Sequence, residues 1–165
     1  MNKYKLGKLK KNGLKQLIAL KSFGNVKKGG RGGFIESEKN LSQDGDAWVS
    51  EDARVFGNAR VFGNAWVFGN AWVSGDARVF GNAWVSGDAR VSGDAWVSGN
   101  AQVSGDARVF GNAWVSGNAR VSGKIKFRTG WLCSRFSFSK QIEIDEWLRL
   151  DNSFEKFLKK EDGVK

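Results

Sequence analysis

A chain of 165 residues with a net charge of +10, eight Trp and no His suits a single domain that meets an anionic partner, and it excludes imidazole chemistry. Its one cysteine, Cys133, excludes an internal disulfide and points to a reducing, cytoplasmic setting. No run approaches the roughly 18–20 apolar residues of a membrane span. The basic start of the chain also lacks an apolar run followed by a small-residue cleavage site, so neither membrane insertion nor secretion is expected.

Residues 1–33 hold ten Lys/Arg and no acid, whereas the rest of the chain is close to neutral. This segment reads as a basic N-terminal β cap. Asn12-Gly13 suits a tight hairpin. Leu14–Leu20 fits either a strand or a short helix, with the strand favoured. Residues 29–33 form a Gly-rich turn cluster without the GxxxxGK[ST] spacing of a phosphate-binding loop. A six-residue phase begins near residue 34: Leu41 and Ile35 stand six and twelve residues before Ala47, and Asn40 stands six before Asp46. The solenoid is therefore expected over residues 34–130.

Residues 46–123 are thirteen consecutive hexapeptides. Asp or Asn holds the first place, Ala the second and Val the fourth throughout. The third place is Trp, Arg or, once, Gln102; the fifth is Ser or Phe; the sixth is Gly except at Glu51. A six-residue period fits neither a coiled-coil heptad nor a helical repeat. In Ala-X-Val the side chains alternate, so Ala and Val point inward and X outward. Gly with Asn or Asp then turns the corner, because these residues tolerate positive φ. Three corners close a coil of eighteen residues, an all-β parallel solenoid. Periodicity alone allows either hand.

The repeat resembles that of the hexapeptide-repeat family, whose fold is a left-handed parallel β-helix; that resemblance, not the period, implies the hand. The lead-in is more specific. Ala19–Lys27, Gly32–Glu38 and Asn40-Leu41-Ser42 are similar to the lead-in of hexapeptide-repeat proteins encoded by phages and prophages, so the resemblance spans residues 17–123. Gly30-Arg31 departs from the acid that such proteins tend to carry in this turn.

Residues eighteen apart should stack. The first face then carries Trp48, Trp66, Trp84, Gln102 and Arg120; the second Arg54, Trp72, Arg90 and Arg108; the third Arg60, Arg78, Trp96 and Trp114. These large side chains either cover a thin solenoid or form a binding or subunit-packing surface, since Trp and Arg are enriched at binding hot spots. Beyond Gly123, Ile125 and Phe127 fill one degenerate hexad, Trp131-Leu132-Cys133 keep the phase, and Phe136 and Phe138 suit a last strand. Residues 131–165 are expected to form a C-terminal cap. Within it, residues 142–150 and 153–158 read as short amphipathic helices, Phe154, Phe157 and Leu158 having i, i+3, i+4 spacing. Such helices would plug the solenoid or dock on a partner. Cys133 is expected to be a buried cap thiol.

Acyltransferases of the resembled family use a histidine base, and its zinc carbonic anhydrases use histidine ligands; this chain has none. The corner Asp residues alternate with Asn at turn positions that backbone geometry already explains. The only Thr is Thr129, so no ice-binding Thr ladder is present. No metal or cofactor is expected. The expectation is a non-enzymatic, phage-type binding protein in the host cytoplasm. Its partner would be an anionic macromolecule, nucleic acid or an acidic or nucleic-acid-bound host protein. Contact would run through Lys3, Lys5, Lys8, Lys10, Lys11, Lys15, Lys21, Lys27, Lys28 and Arg31, with the Trp/Arg faces as a second surface. The resemblance to phage proteins extends this to an inhibitor of a host defence nuclease, of the anti-CRISPR type. The alternatives are a structural or assembly module, a homo-oligomer formed through the faces or the C-terminal cap, and a transferase-like enzyme with a non-histidine mechanism.

Overall fold

The computed structural model describes residues 2–10, 12–133, 137–138, 143–144 and 149–150, the last three pairs as backbone alone. Each Ala-X-Val unit forms a short strand of X and Val, extended by one residue only at Trp114–Ser116; Trp84–Val85, for example, pairs in parallel with Trp66–Val67 on one side and Gln102–Val103 on the other. Pairing runs from coil to coil: Trp84 N–H donates to Ala101 O and Ser86 N–H to Val103 O, both at 2.9 Å. Three parallel stacks result, matching the three sequence faces. All thirteen repeat Ala and all thirteen repeat Val are buried. A buried Val contributes about 1.5–3 kcal/mol, while ordering each residue's backbone costs about 1–2 kcal/mol. One coil alone therefore gains little, and stability comes from coil stacked on coil.

The corners explain the invariant glycine. Gly81 has φ +71°, and a Cβ there would lie 3.0 Å from the backbone N of Gly99 in the next coil. Outside the glycines, Asn side chains tie the corners together: Asn64 Nδ2 donates to Asn82, Asn82 to Asn100, and Asn100 to Asn118, at 3.0–3.2 Å. Glu51, the exception to glycine, has φ 57° and receives the Gly69 N–H on its carboxylate at 2.8 Å. Glu36 does the same for Gly57 at 2.6 Å. Both carboxylates sit at the start of a corner column and accept the N–H of the first glycine in it.

The N-terminal segment is a three-stranded antiparallel meander: β1 (Tyr4–Leu9), β2 (Lys15–Ala19) and β3 (Arg31–Ile35). Lys10 N–H donates to Leu14 O across the Asn12-Gly13 turn, and Leu14–Leu20 takes the strand alternative. β3 then pairs in parallel with Arg54–Val55, so the head sheet continues the second face. The boundary expected between residues 33 and 34 falls inside β3. A 3-10 turn at Glu38–Asn40 follows, where buried Asn40 donates Nδ2 to Gly57 O and Ala59 O.

Two details of phase differ from the sequence expectation. Ile35 and Leu41 lie opposite Val55 and Val61, so they take the Val place rather than the Ala place. The corner before Ala47 is correspondingly longer. At the other end Val115 lies opposite Leu132, seventeen residues on, because the Arg128–Gly130 corner is one residue short. Leu132 is thus the buried residue and Cys133 is half-buried, not a buried thiol.

The expected helix over 142–150 is replaced by strands at Glu143–Ile144 and Arg149–Leu150, with Ser137–Phe138 before them. They pair in parallel with Lys126–Phe127, Trp131–Leu132 and Arg120–Val121 respectively. The physical reason is spacing: Leu132, Phe138, Ile144 and Leu150 are six apart and continue the coil ladder, which offers each strand a ready hydrogen-bonding edge. The helix expected over 153–158 lies outside the described residues. Among the described residues no helix is long and apolar enough to cross a membrane.

Candidate interaction surfaces

The ten head cations do not form one patch. Lys3 is buried: its Nζ donates to Ala47 O at 2.9 Å, Gly45 O at 3.2 Å and Asp44 O at 3.4 Å, and it lies 5.1 Å from the Phe23 ring centroid. Burial lowers its pKa to about 8, against the pull of Asp46 and Asp44. Lys3 therefore locks the head onto the first corner and is removed from the contact surface. A lysine in a basic run reads as solvated; only the fold showed that three carbonyls converge on this one. Lys5 and Arg31 flank Ile18 across the head sheet, at the end where exposed Lys21, Lys27 and Lys28 occupy the β2–β3 loop. Lys8 and Lys10 are exposed toward the hairpin tip, and Lys15 is half-buried. Lys11 lies outside the described residues. Lys5 and Lys8 stand three residues apart on β1, roughly 10 Å, and only the outermost cations of the two groups, at the β2–β3 loop and the hairpin tip, are a full strand length of roughly 17 Å or more apart.

The Trp/Arg faces divide differently. Trp48 is covered by the head, with the Phe23 and Tyr4 ring centroids 5.3 and 6.4 Å from its own in edge-on geometry, and only 3% of it is exposed; it is no part of an outer surface. Below it Trp66 is half-buried and Trp84 is 49% exposed. On the second face Trp72 is clamped between Arg54 and Arg90, each guanidinium 5.2 Å from the indole centroid. Exposed Arg108 follows Arg90 in register. A shallow groove lined by Asn12, Leu14, Glu36, Arg54, Phe56 and Trp72 runs under the hairpin tip. On the third face Arg60 and Arg78 are exposed, Arg78 lies 5.0 Å from the Trp96 centroid, and Trp96, Trp114 and Trp131 follow at 5.3 Å intervals.

A diagonal rule, residue i against i+16, governs these rings. Phe56, Phe68 and Phe80 present edges to Trp72, Trp84 and Trp96 at 6.0 Å. Where the fifth place is Ser, Ser98 Oγ accepts the Trp114 indole N–H at 3.2 Å. Ser116 does so for Trp131 at 2.9 Å, fifteen residues away because of the short corner. Trp131, Ser116 and the buried Ser98 belong to this face but were missed by stacking by eighteen; the diagonal spacing between fifth and third places was their signal. Among the described residues no three His, Cys, Asp or Glu side chains gather as a metal site.

A family model described as the YdcK beta solenoid repeat matches residues 53–69, 71–87, 83–99 and 101–117. No curated protein matches the chain. Matches confined to the coils and three continuous coil-to-coil ladders make this chain a repeat β-solenoid protein.

Proposed function

We propose that the protein is a non-enzymatic binding module in which the solenoid is a rigid support and the head contacts an anionic macromolecule. The observation that carries this reading is the cluster Lys5, Lys21, Lys27, Lys28 and Arg31, exposed at one end of the head, where no acidic side chain pairs with them among the described residues. Nucleic acid fits such a cluster better than a small metabolite, because several like charges side by side favour a partner with repeated phosphates. Phage origin, and inhibition of a host defence nuclease of the anti-CRISPR type, are narrower forms of this reading and rest on the lead-in resemblance. The structural-module alternative is favoured by the unbroken ladders, which need no ligand to account for them.

Binding to duplex DNA at several salt concentrations tests the reading. Engagement of about four phosphates gives a slope of log affinity against log salt near −3.6. Lys21, Lys27 and Lys28 changed together to Glu should abolish measurable binding and leave the thermal midpoint nearly unchanged, since exposed charges add little stability. Undiminished binding by that variant, or none by the parent, returns the protein to the structural reading.

A further inference from the structure

The third face is complementary to itself when turned end for end. From the N-terminal side it presents Arg60, Arg78, Trp96, Trp114 and Trp131 on successive coils, and Arg149 follows Trp131 in register beyond these five. Reversing this column about Trp96 sets Arg78 opposite Trp114 and Arg60 opposite Trp131, each pair occurring twice by symmetry. A guanidinium over an indole is attractive, the more so once water is excluded. The register needs no adjustment, because both copies have the same rise of about 4.8 Å per coil. A parallel pairing would instead set Arg60 on Arg60 and Arg78 on Arg78.

The other faces have this property only in part. Reversing the second about its centre does set Trp72 opposite Arg108, but it also puts Arg90 on Arg90 and Arg54 on Lys126. The first face loses Trp48 to the head and offers only one Arg–Trp pairing per half, Trp66 with Arg120. The third face is also the best fixed. Ser98 and Ser116 hold the indoles of Trp114 and Trp131, which stack at an interplanar angle of 22° and stay 38% and 39% exposed. Rings already held in place lose little freedom on binding. Its rim toward the first face is the neutral Asn64-Asn82-Asn100-Asn118 ladder, so two copies meeting along that edge bring no like charges together.

We infer that the third face is an antiparallel, two-fold contact between two copies of this chain, centred on Trp96. Five coils span only about 19 Å, so the buried area falls below the roughly 800 Å² per partner of a stable interface. The dimer is accordingly reversible and depends on concentration.

Sedimentation equilibrium of the full chain tests this. The parent should show a monomer–dimer equilibrium, and Trp114→Lys, which sets a cation opposite Arg78 in both symmetry-related pairs, should weaken it by about tenfold or more. The exchange Arg78→Trp with Trp114→Arg restores the complementary order and should recover dimerisation, which mere loss of folding could not do. Orientation is read by oxidative cross-linking in a Cys133→Ser background. Arg78→Cys should cross-link to Trp114→Cys when the two proteins are mixed, and not to itself. A monomer at all concentrations, an unaffected Trp114→Lys variant, or Arg78→Cys joining itself would each overturn the inference.

Discussion

Val85 and Trp84 are neighbours in the chain with opposite fates, which makes them a direct probe of the alternation. Val85→Asp places an unpaired charge among Ala and Val and should cost more than about 4 kcal/mol. Trp84→Ser removes an edge contact to Phe68 and should cost about 0.5–1.5 kcal/mol. Thermal denaturation separates the two, and equal losses would contradict the buried-Val assignment. Lys3 gives a second residue-level test. Its folded pKa of about 8 lies below the ordinary 10.5, so in that window the unfolded chain holds a proton that the folded chain has released. Stability from this group therefore rises with pH through about 8 and is lost as pH falls. Below pH 10, where the buried Tyr4 phenol has not begun to act with the opposite sign, the midpoint should climb in the parent and stay flat in Lys3→Met.

The corner is the element on which the coil depends, and two glycines with nearly the same φ isolate its packing cost. Gly81 and Gly29 have φ of +71° and +84°, so Ala at either incurs similar backbone strain, about 1 kcal/mol. Around Gly29 nothing lies within 4 Å of the added Cβ, whereas at Gly81 it meets the next corner at 3.0 Å. Gly81→Ala should therefore lower the thermal midpoint clearly more than Gly29→Ala. Equal shifts would mean that conformation alone, not coil-to-coil approach, selects glycine. The same corner governs the element phase. One residue fewer at Arg128–Gly130 moves Leu132 inward, and the longer turn before Ala47 moves Ile35 and Leu41 into the Val place.

At the scale of the whole molecule, stability and binding should respond differently to salt. The core is apolar and continuous from Ile35 to Leu132, so the thermal midpoint should hardly change as salt screens the exposed head. Binding through Lys21, Lys27 and Lys28 should fall steeply over the same range. If midpoint and affinity fell together, the head cations would be holding the fold rather than contacting a partner. Because β3 joins the second stack while β1 and β2 extend it, the head is part of the solenoid's hydrogen-bonded sheet and moves with it.

Local pattern alone determined the coils, the three faces, the inward Ala and Val, and the Asn12-Gly13 hairpin. These follow from a period that repeats thirteen times and so needs no long-range information. The six-residue spacing of Leu132, Phe138, Ile144 and Leu150 was legible too, but an amphipathic spacing competed with it, and only a neighbouring strand edge decides between them. Tertiary structure alone decided that Lys3 is buried in carbonyl oxygens, that Trp48 lies under the head, and that the basic run splits between two ends of the head sheet. Each depends on how a non-repeating segment folds back onto the first coil, and a local pattern carries no record of which distant groups a fold brings together.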